Sequence, residues 1–253
     1  MLKNMLSKND LEQTIGFVFS REQPEGGFSF AGMMPPTLED TYYAIRTLKL
    51  IEKETGRKIP IKKETIEYIL TTDEDNLVDY KLQYQSLWLC RQFNLEPRTR
   101  RVDSSDVLVK NFEQFYYYIL LNGKTKNNTI LKKSLDELNY ISDLAYMVLI
   151  KNELKIKFDQ QAYAQKIQSI QNHDGGFGFN EGSTSFLENT YLAVKALAAL
   201  NQKPLLLNEC LSLIEGSRAN NGGYGRSIST VPTLEATSFA IECLQILKGK
   251  KYI

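Results

Sequence analysis

Three glutamates stand at matched places in this chain. Glu39, Glu188 and Glu235 each follow the second glycine of a Gly-Gly-aromatic triplet by 12 positions. Asp40 lies beside the first of them, where the other two copies carry Asn189 and Ala236. Two adjacent carboxyls at a helix start can divide roles, one ionised while the other keeps a proton, as acid–base chemistry requires. Asp40 with Glu39 is therefore the candidate catalytic pair. The symmetric glutamates have a second explanation, because an acid in a first helical turn is stabilised by the macrodipole by about 0.3–1 kcal/mol. Asp40 is not demanded by the repeat, which makes it the more specific chemical candidate.

The aromatic residues suggest a different use. With Tyr 14 and Phe 12 in the composition, and "FYYYILL" at 115–121, the chain can line a pocket with rings. If Tyr42, Tyr191 and Trp88 face inward, they suit a long apolar chain and can stabilise a carbocation through their π faces. Glu188 and Glu235 then join them as substrate-contacting residues, and ordinary core packing is the competing explanation for the rings. The lone histidine, His173, precedes Asp174 in a turn and fits a cap or a solvated position better than a base. "GGFGF" lacks the preceding strand and following Lys-Ser/Thr of a phosphate loop. Cys90, Cys210 and Cys243 are scattered, which predicts a reducing compartment and no cysteine-based zinc site. No metal and no cofactor are expected.

These residues are positioned by an internal repeat. "GGFSFAGMMPPTLEDTYYAIRTL" from Gly26, "GGFGFNEGSTSFLENTYLAVKAL" from Gly175 and "GGYGRSISTVPTLEATSFAIECL" from Gly222 align without gaps. The glutamates are followed by Thr41, Thr190 and Thr237, then by Ala44, Ala193 and Ala240. Such a register marks a repeat architecture. Glu188 and Glu235 are 47 residues apart, and Glu39 and Glu188 are 149 apart, which leaves room for two degenerate units near 82–93 and 140–150. About five units result. Each reads as two helices, the second starting near Thr37, Phe186 or Thr233 with apolar residues at helical spacing. "IKKETIEYIL" and "SSDVLVKNFEQFYYYILL" carry the pattern of outer helices. Gly27, Gly176 and Gly223 are expected in the turns between helices, with the following aromatic plugging the gap. The prediction is an all-α chain of roughly eleven helices in one domain, residues 1–253.

"DGGFGF…FLENTYLAVKAL" resembles the repeat of protein prenyltransferase β-subunits and squalene/terpene cyclases. The resemblance implies an α/α toroid, with inner helices around an apolar central cavity and chemistry at their N-terminal ends. It also implies zinc ligands at places matching Glu39, Glu188 or Glu235, with a cysteine two residues on. Here threonine stands at that second place, so the usual zinc site is not expected. The Asp-x-Asp-Asp-Thr acid motif of class II cyclases falls on "TLEDT", where only Asp40 and Thr41 match outright.

The expected function is that of a prenyltransferase- or terpene-cyclase-like toroid binding an isoprenoid, and transferring or cyclising it. The alternative is a non-catalytic toroid that binds a lipid, a peptide or a protein partner. Lys+Arg 31 against Asp+Glu 30 leaves a net charge of +1, which offers nucleic acid no electrostatic footprint. The clusters "GRK" at 56–58 and "RTRR" at 98–101 read as solvated corners. No apolar run is long enough for a transmembrane helix or a signal peptide, which predicts a cytoplasmic protein.

Overall fold

Apolar periodicity and caps set the helices. The computed structural model describes residues 6–72, 79–96, 111–123 and 129–249. Lys8–Phe19 forms α1, Leu38–Thr55 α2, Lys63–Thr71 α3, Tyr80–Gln92 α4 and Phe112–Asn122 α5. Ile141–Glu153 forms α6, Gln160–Ser169 α7, Leu187–Ala199 α8, Leu207–Gly216 α9 and Leu234–Gly249 α10. Among the described residues, strand is confined to a two-residue ladder pairing Tyr224–Gly225 with Pro232–Thr233. Thr37 accepts the Asp40 N–H at 3.0 Å and so fixes the start of α2. Thr233 does the same for Ala236 ahead of α10.

The helices close a ring. α2 packs on α4, α4 on α5, α5 on α6, α6 on α8, α8 on α10, and α10 returns to α2. Outside it, α1 backs α2, α3 backs α4, α7 bridges α6 and α8, and α9 backs α10. This is an α/α toroid. The five expected units supply the inner helices α2, α4, α6, α8 and α10. A sixth inner helix, α5, comes from "NFEQFYYYILLN", which the sequence pattern had placed outside. Its apolar residues run round much of the helix, so periodicity gave no inward face; residues 104–110 of that stretch lie outside the described residues. "GRK" at 56–58 is exposed, and "RTRR" at 98–101 lies outside the described residues.

The glycine pair serves the ring. A Cβ on Gly175 would lie 2.1 Å from the Cys210 backbone nitrogen, so only glycine lets this turn touch α9, the next outer helix. Gly26 meets α3 at Glu64 in the same way, and Gly222 meets α1 at Gln13, which closes the circle. Gly27, Gly176 and Gly223 do lie in the turns, but positive φ falls on the first glycine of each pair and, among the second ones, only on Gly27. The next residue, Phe28, Phe177 or Tyr224, is fully buried as the expected plug. Its N–H donates to Thr41, Thr190 or Thr237 Oγ1 at 2.9, 3.0 and 2.9 Å. That bond ties each turn to its inner helix and explains the threonine of the repeat.

Candidate functional site

The ring registers its six inner helices from their first residues. Each begins with a buried apolar side chain: Leu38, Tyr80, Phe112, Ile141, Leu187 or Leu234. The second residues are Glu39, Lys81, Glu113, Ser142, Glu188 and Glu235, and they share one rim. Lys81 is its hub, with Nζ 2.7 Å from Glu39, 3.8 Å from Glu113 and 4.0 Å from Glu235. Burial works against the Lys81 charge, yet these carboxylates hold its pKa above the ordinary lysine value. Arg226 reaches Glu188 at 2.6 Å, and the Tyr146 hydroxyl donates to Glu113 at 2.9 Å. Glu235 is pushed above the usual carboxylate range by burial, with Glu39 and Glu188 adding to the shift and Tyr43 and Lys81 opposing it. Asp143 is raised by burial as well.

One helical turn below lies an aromatic belt. Tyr42, Tyr43, Tyr84, Tyr116, Tyr117, Tyr146, Tyr191 and Phe239 all line the enclosed space. They touch in series: Tyr42 meets Trp88 edge-on at 5.2 Å, Tyr84 meets Tyr117 at 5.3 Å, and Tyr191 stacks on Phe239 at 4.2 Å. Burial in the belt pushes Tyr42, Tyr43, Tyr116, Tyr117 and Tyr146 above the ordinary phenol value.

A further turn down is the floor, formed by Arg46, Trp88, Leu120, Leu149, Lys195 and Glu242. At 1.5 Å per residue, seven residues separate rim from floor by about 10 Å. Arg46 pairs with Glu242 and also donates to Tyr191 OH and Ser238 Oγ, both at 2.9 Å. Lys195 Nζ donates to the same Tyr191 hydroxyl at 2.9 Å. Burial alone would raise the Tyr191 phenol, but Arg46 and Lys195 bring it below its ordinary value. The cavity of about 530 Å³ is thus layered: acidic rim, tyrosine belt, basic floor. Its size is that of a small-molecule site. Its wall is more polar than the apolar cavity implied by the resemblance, because phenol groups replace aliphatic side chains.

The residues singled out from the sequence divide. Tyr42, Trp88, Tyr191, Glu188 and Glu235 all line the cavity. Asp40 does not; its carboxylate accepts from Thr37 Oγ1 at 2.8 Å, and burial, aided by Glu39, raises its pKa. Glu39 lies at the rim on Lys81. The expected acidic pair at the cavity mouth is therefore split, because consecutive helical residues point about 100° apart. His173 is exposed in its turn and is not part of the cavity wall. Arg46, Lys81, Glu113 and Lys195 were not anticipated as site residues, and the α5 tyrosines Tyr116 and Tyr117 only as part of the aromatic run at 115–121. Their signal was positional: each falls one, four, five or eight places after the apolar first residue of its helix.

The donor set does not fit a zinc ion. At the places matching the ligands of related enzymes, Thr41, Thr190 and Thr237 are buried and bonded to backbone N–H groups. Among the described residues, no three His, Cys, Asp or Glu side chains gather within reach of one ion. Cys90, Cys210 and Cys243 are free and buried, with the Cys210 thiol pushed up to about 12 by burial. Among the described residues, no helix is long and apolar enough to cross a membrane.

Comparison with known proteins gives one family. The prenyltransferase alpha-alpha toroid domain matches residues 1–84, 134–209 and 203–252. A solved structure of Candida albicans protein geranylgeranyltransferase-I complexed with GGPP is similar at 12% identity. That match covers 96% of this chain and 92% of that one, with a TM-score of 0.36. No curated protein matches.

Proposed function

Because this chain belongs to the prenyltransferase alpha-alpha toroid family, we propose that its central cavity binds an isoprenoid or a similarly apolar chain. The observation that carries this reading is the belt of eight aromatic side chains around one cavity, drawn from all six inner helices, with two each from α2 and α5. Burying each CH₂ of such a chain contributes about 0.8 kcal/mol, and π faces add affinity for electron-poor carbon. The test uses the chain's only tryptophan, Trp88, which lies on the wall beside Tyr42. Titration with farnesol should change Trp88 fluorescence saturably, and replacing Tyr116 by Ala should weaken binding. Unchanged fluorescence together with no heat of binding would refute it.

One observation favours a catalytic reading. Glu235 lies on the cavity wall with its carboxyl raised above the usual range by burial, so it keeps its proton to higher pH than an ordinary glutamate. A weakened carboxylic acid is a poor donor to an alkene, which favours proton removal or transfer prenylation over cyclisation. Asp40, engaged by Thr37, is not placed to assist. Incubation with farnesyl diphosphate and a mixture of nucleophiles, comparing wild type with Glu235→Gln, decides it: product lost in the variant supports catalysis, and no product from either protein leaves the binding reading.

A further inference from the structure

The rim carries more negative charge than its cations offset. Among the described residues, Glu39, Glu113, Glu188 and Glu235 share only Lys81 and Arg226. Asp143, the next acid on the wall, has Lys133 near it. Glu235 is pushed above the usual carboxylate range by burial, and Glu39 and Glu188 add to the shift, so these carboxylates repel one another across the mouth. The helix macrodipole eases an acid in a first turn by only about 0.3–1 kcal/mol and supplies no counter-charge.

The rim also shows how it holds an ammonium. Lys81 Nζ sits 2.7 Å from Glu39 and lies over the Tyr43 ring at 5.9 Å, so a carboxylate and a π face act on one cation. Arg226 repeats the pattern with Glu188 and the Phe186 ring, 4.0 Å from its centroid. Independently of the acids, Tyr42 is only 7% exposed and lines the cavity, and its hydroxyl has no hydrogen-bond partner among the described residues. The hydroxyls of Tyr84, Tyr116 and Tyr117 are likewise unbonded there. Phenol oxygens with open lone pairs, on rings whose faces are electron-rich, suit a charged N–H donor. Arg46 and Lys195 repel a cation from the floor, which leaves it the rim end.

Resting on the reading of the cavity as a site for an apolar chain, we propose that this chain carries a cationic head, a primary alkylammonium held at the rim by Glu188 and Glu235 with its tail in the tyrosine belt. The three N–H donors of the head meet two carboxylates and a phenol oxygen, and the hydrocarbon covers the ring faces below. The added charge relieves the repulsion among the rim acids, which then face three cations in place of two.

The experiment compares farnesylamine, farnesol and farnesyl phosphate by Trp88 fluorescence and calorimetry, in wild type, Glu188→Gln, Glu235→Gln and Arg226→Met. A hydrogen bond to a charged group is worth roughly a 10- to 100-fold change in affinity. Farnesylamine should therefore bind wild type about 10- to 100-fold tighter than farnesol, with the phosphate weakest. Each Glu→Gln variant should draw the amine-to-alcohol ratio toward one. Arg226→Met, which frees Glu188, should raise it. In wild type, added salt should shrink the ratio. Farnesol or the phosphate binding as tightly as the amine overturns the cationic head and leaves the cavity reading intact. Glu→Gln variants that weaken amine and alcohol equally, or a ratio lowered by Arg226→Met, overturn it too. Binding of none of the three overturns both.

Discussion

Replacing Gly175 by Ala should loosen the ring at one identifiable joint. Gly175 has φ +83°, and an added Cβ would meet Cys210 N at 2.1 Å and Glu209 C at 2.3 Å, both backbone atoms of α9. A left-handed backbone costs a non-glycine residue about 1–2 kcal/mol, offset by about 0.4–1 kcal/mol from the restricted unfolded chain. The clash cannot be relieved by a rotamer change, because backbone does not rotate away, and overpacking of this kind costs about 1–3 kcal/mol. The net loss is about 2–4 kcal/mol. Gly182 supplies the control, since its φ is +74° and nothing lies within 4 Å of its added Cβ. Gly182→Ala therefore carries the conformational cost alone, about 1 kcal/mol or less. At about 2–4 °C per kcal/mol for a chain of this size, thermal circular dichroism should separate the two variants clearly. Shifting α9 should also speed thiol labelling of the buried Cys210 in the Gly175 variant alone. Equal melting temperatures for the two variants would refute the claim that the glycine pair exists for helix contact.

Thr190→Val should cost about 1–3 kcal/mol in urea unfolding, because the buried Phe177 N–H loses its acceptor, and Thr190→Ser should recover most of it. Asp40→Ala should lower stability by roughly 0.5–1 kcal/mol through the loss of its contact with Thr37, and leave farnesol affinity unchanged; a loss of affinity would restore Asp40 to the site. In alkaline titration followed by tyrosinate absorbance, one phenol should ionise early, and Tyr191→Phe should remove that step. The phenols of Tyr42, Tyr43, Tyr116, Tyr117 and Tyr146 are raised in the folded state. Their contribution is complete below the unfolded phenol value of about 10 and is lost as pH rises above it, so unfolding should accompany the late phase. Tyr191 has the opposite sign and gains stability between its lowered value and about 10, but it is one group against these five and the raised Tyr68, Tyr84, Tyr163 and Tyr224.

The toroid was legible because its strongest repeat signals are backbone requirements. A glycine that touches the next outer helix, a plug aromatic and a threonine that holds its N–H tolerate little exchange, so three copies kept them in register. The middle of the chain relaxes these rules. At the fourth place of α4, Gln83 replaces the repeat's threonine, and no Gly-Gly turn precedes α4, α5 or α6. Their register shows in the structure, where Tyr80, Phe112 and Ile141 are buried at their helix starts as Leu38 is. The site followed the same division. Tyr42, Tyr191, Glu188 and Glu235, which line the cavity, could be named from the repeat, and Trp88 from the aromatics of a degenerate unit. Lys81, Arg46 and Lys195 escaped because long cationic side chains at helical spacing usually mark a solvated face. Asp40 was favoured because it broke the repeat's symmetry, yet sequence distance alone does not tell which side of a helix start faces inward.

The contacts of a bound prenyl chain with the protein test the cavity most directly. A farnesyl analogue bearing a photoreactive diazirine, activated on the protein and mapped by mass spectrometry, reads this position by position. Adducts should concentrate on Tyr84, Trp88, Tyr116 and Tyr191, and excess farnesol should suppress them. Adducts confined to the exposed Phe30, Met33, Ile228 and Val231, on loops outside the ring, would contradict the cavity as the binding site.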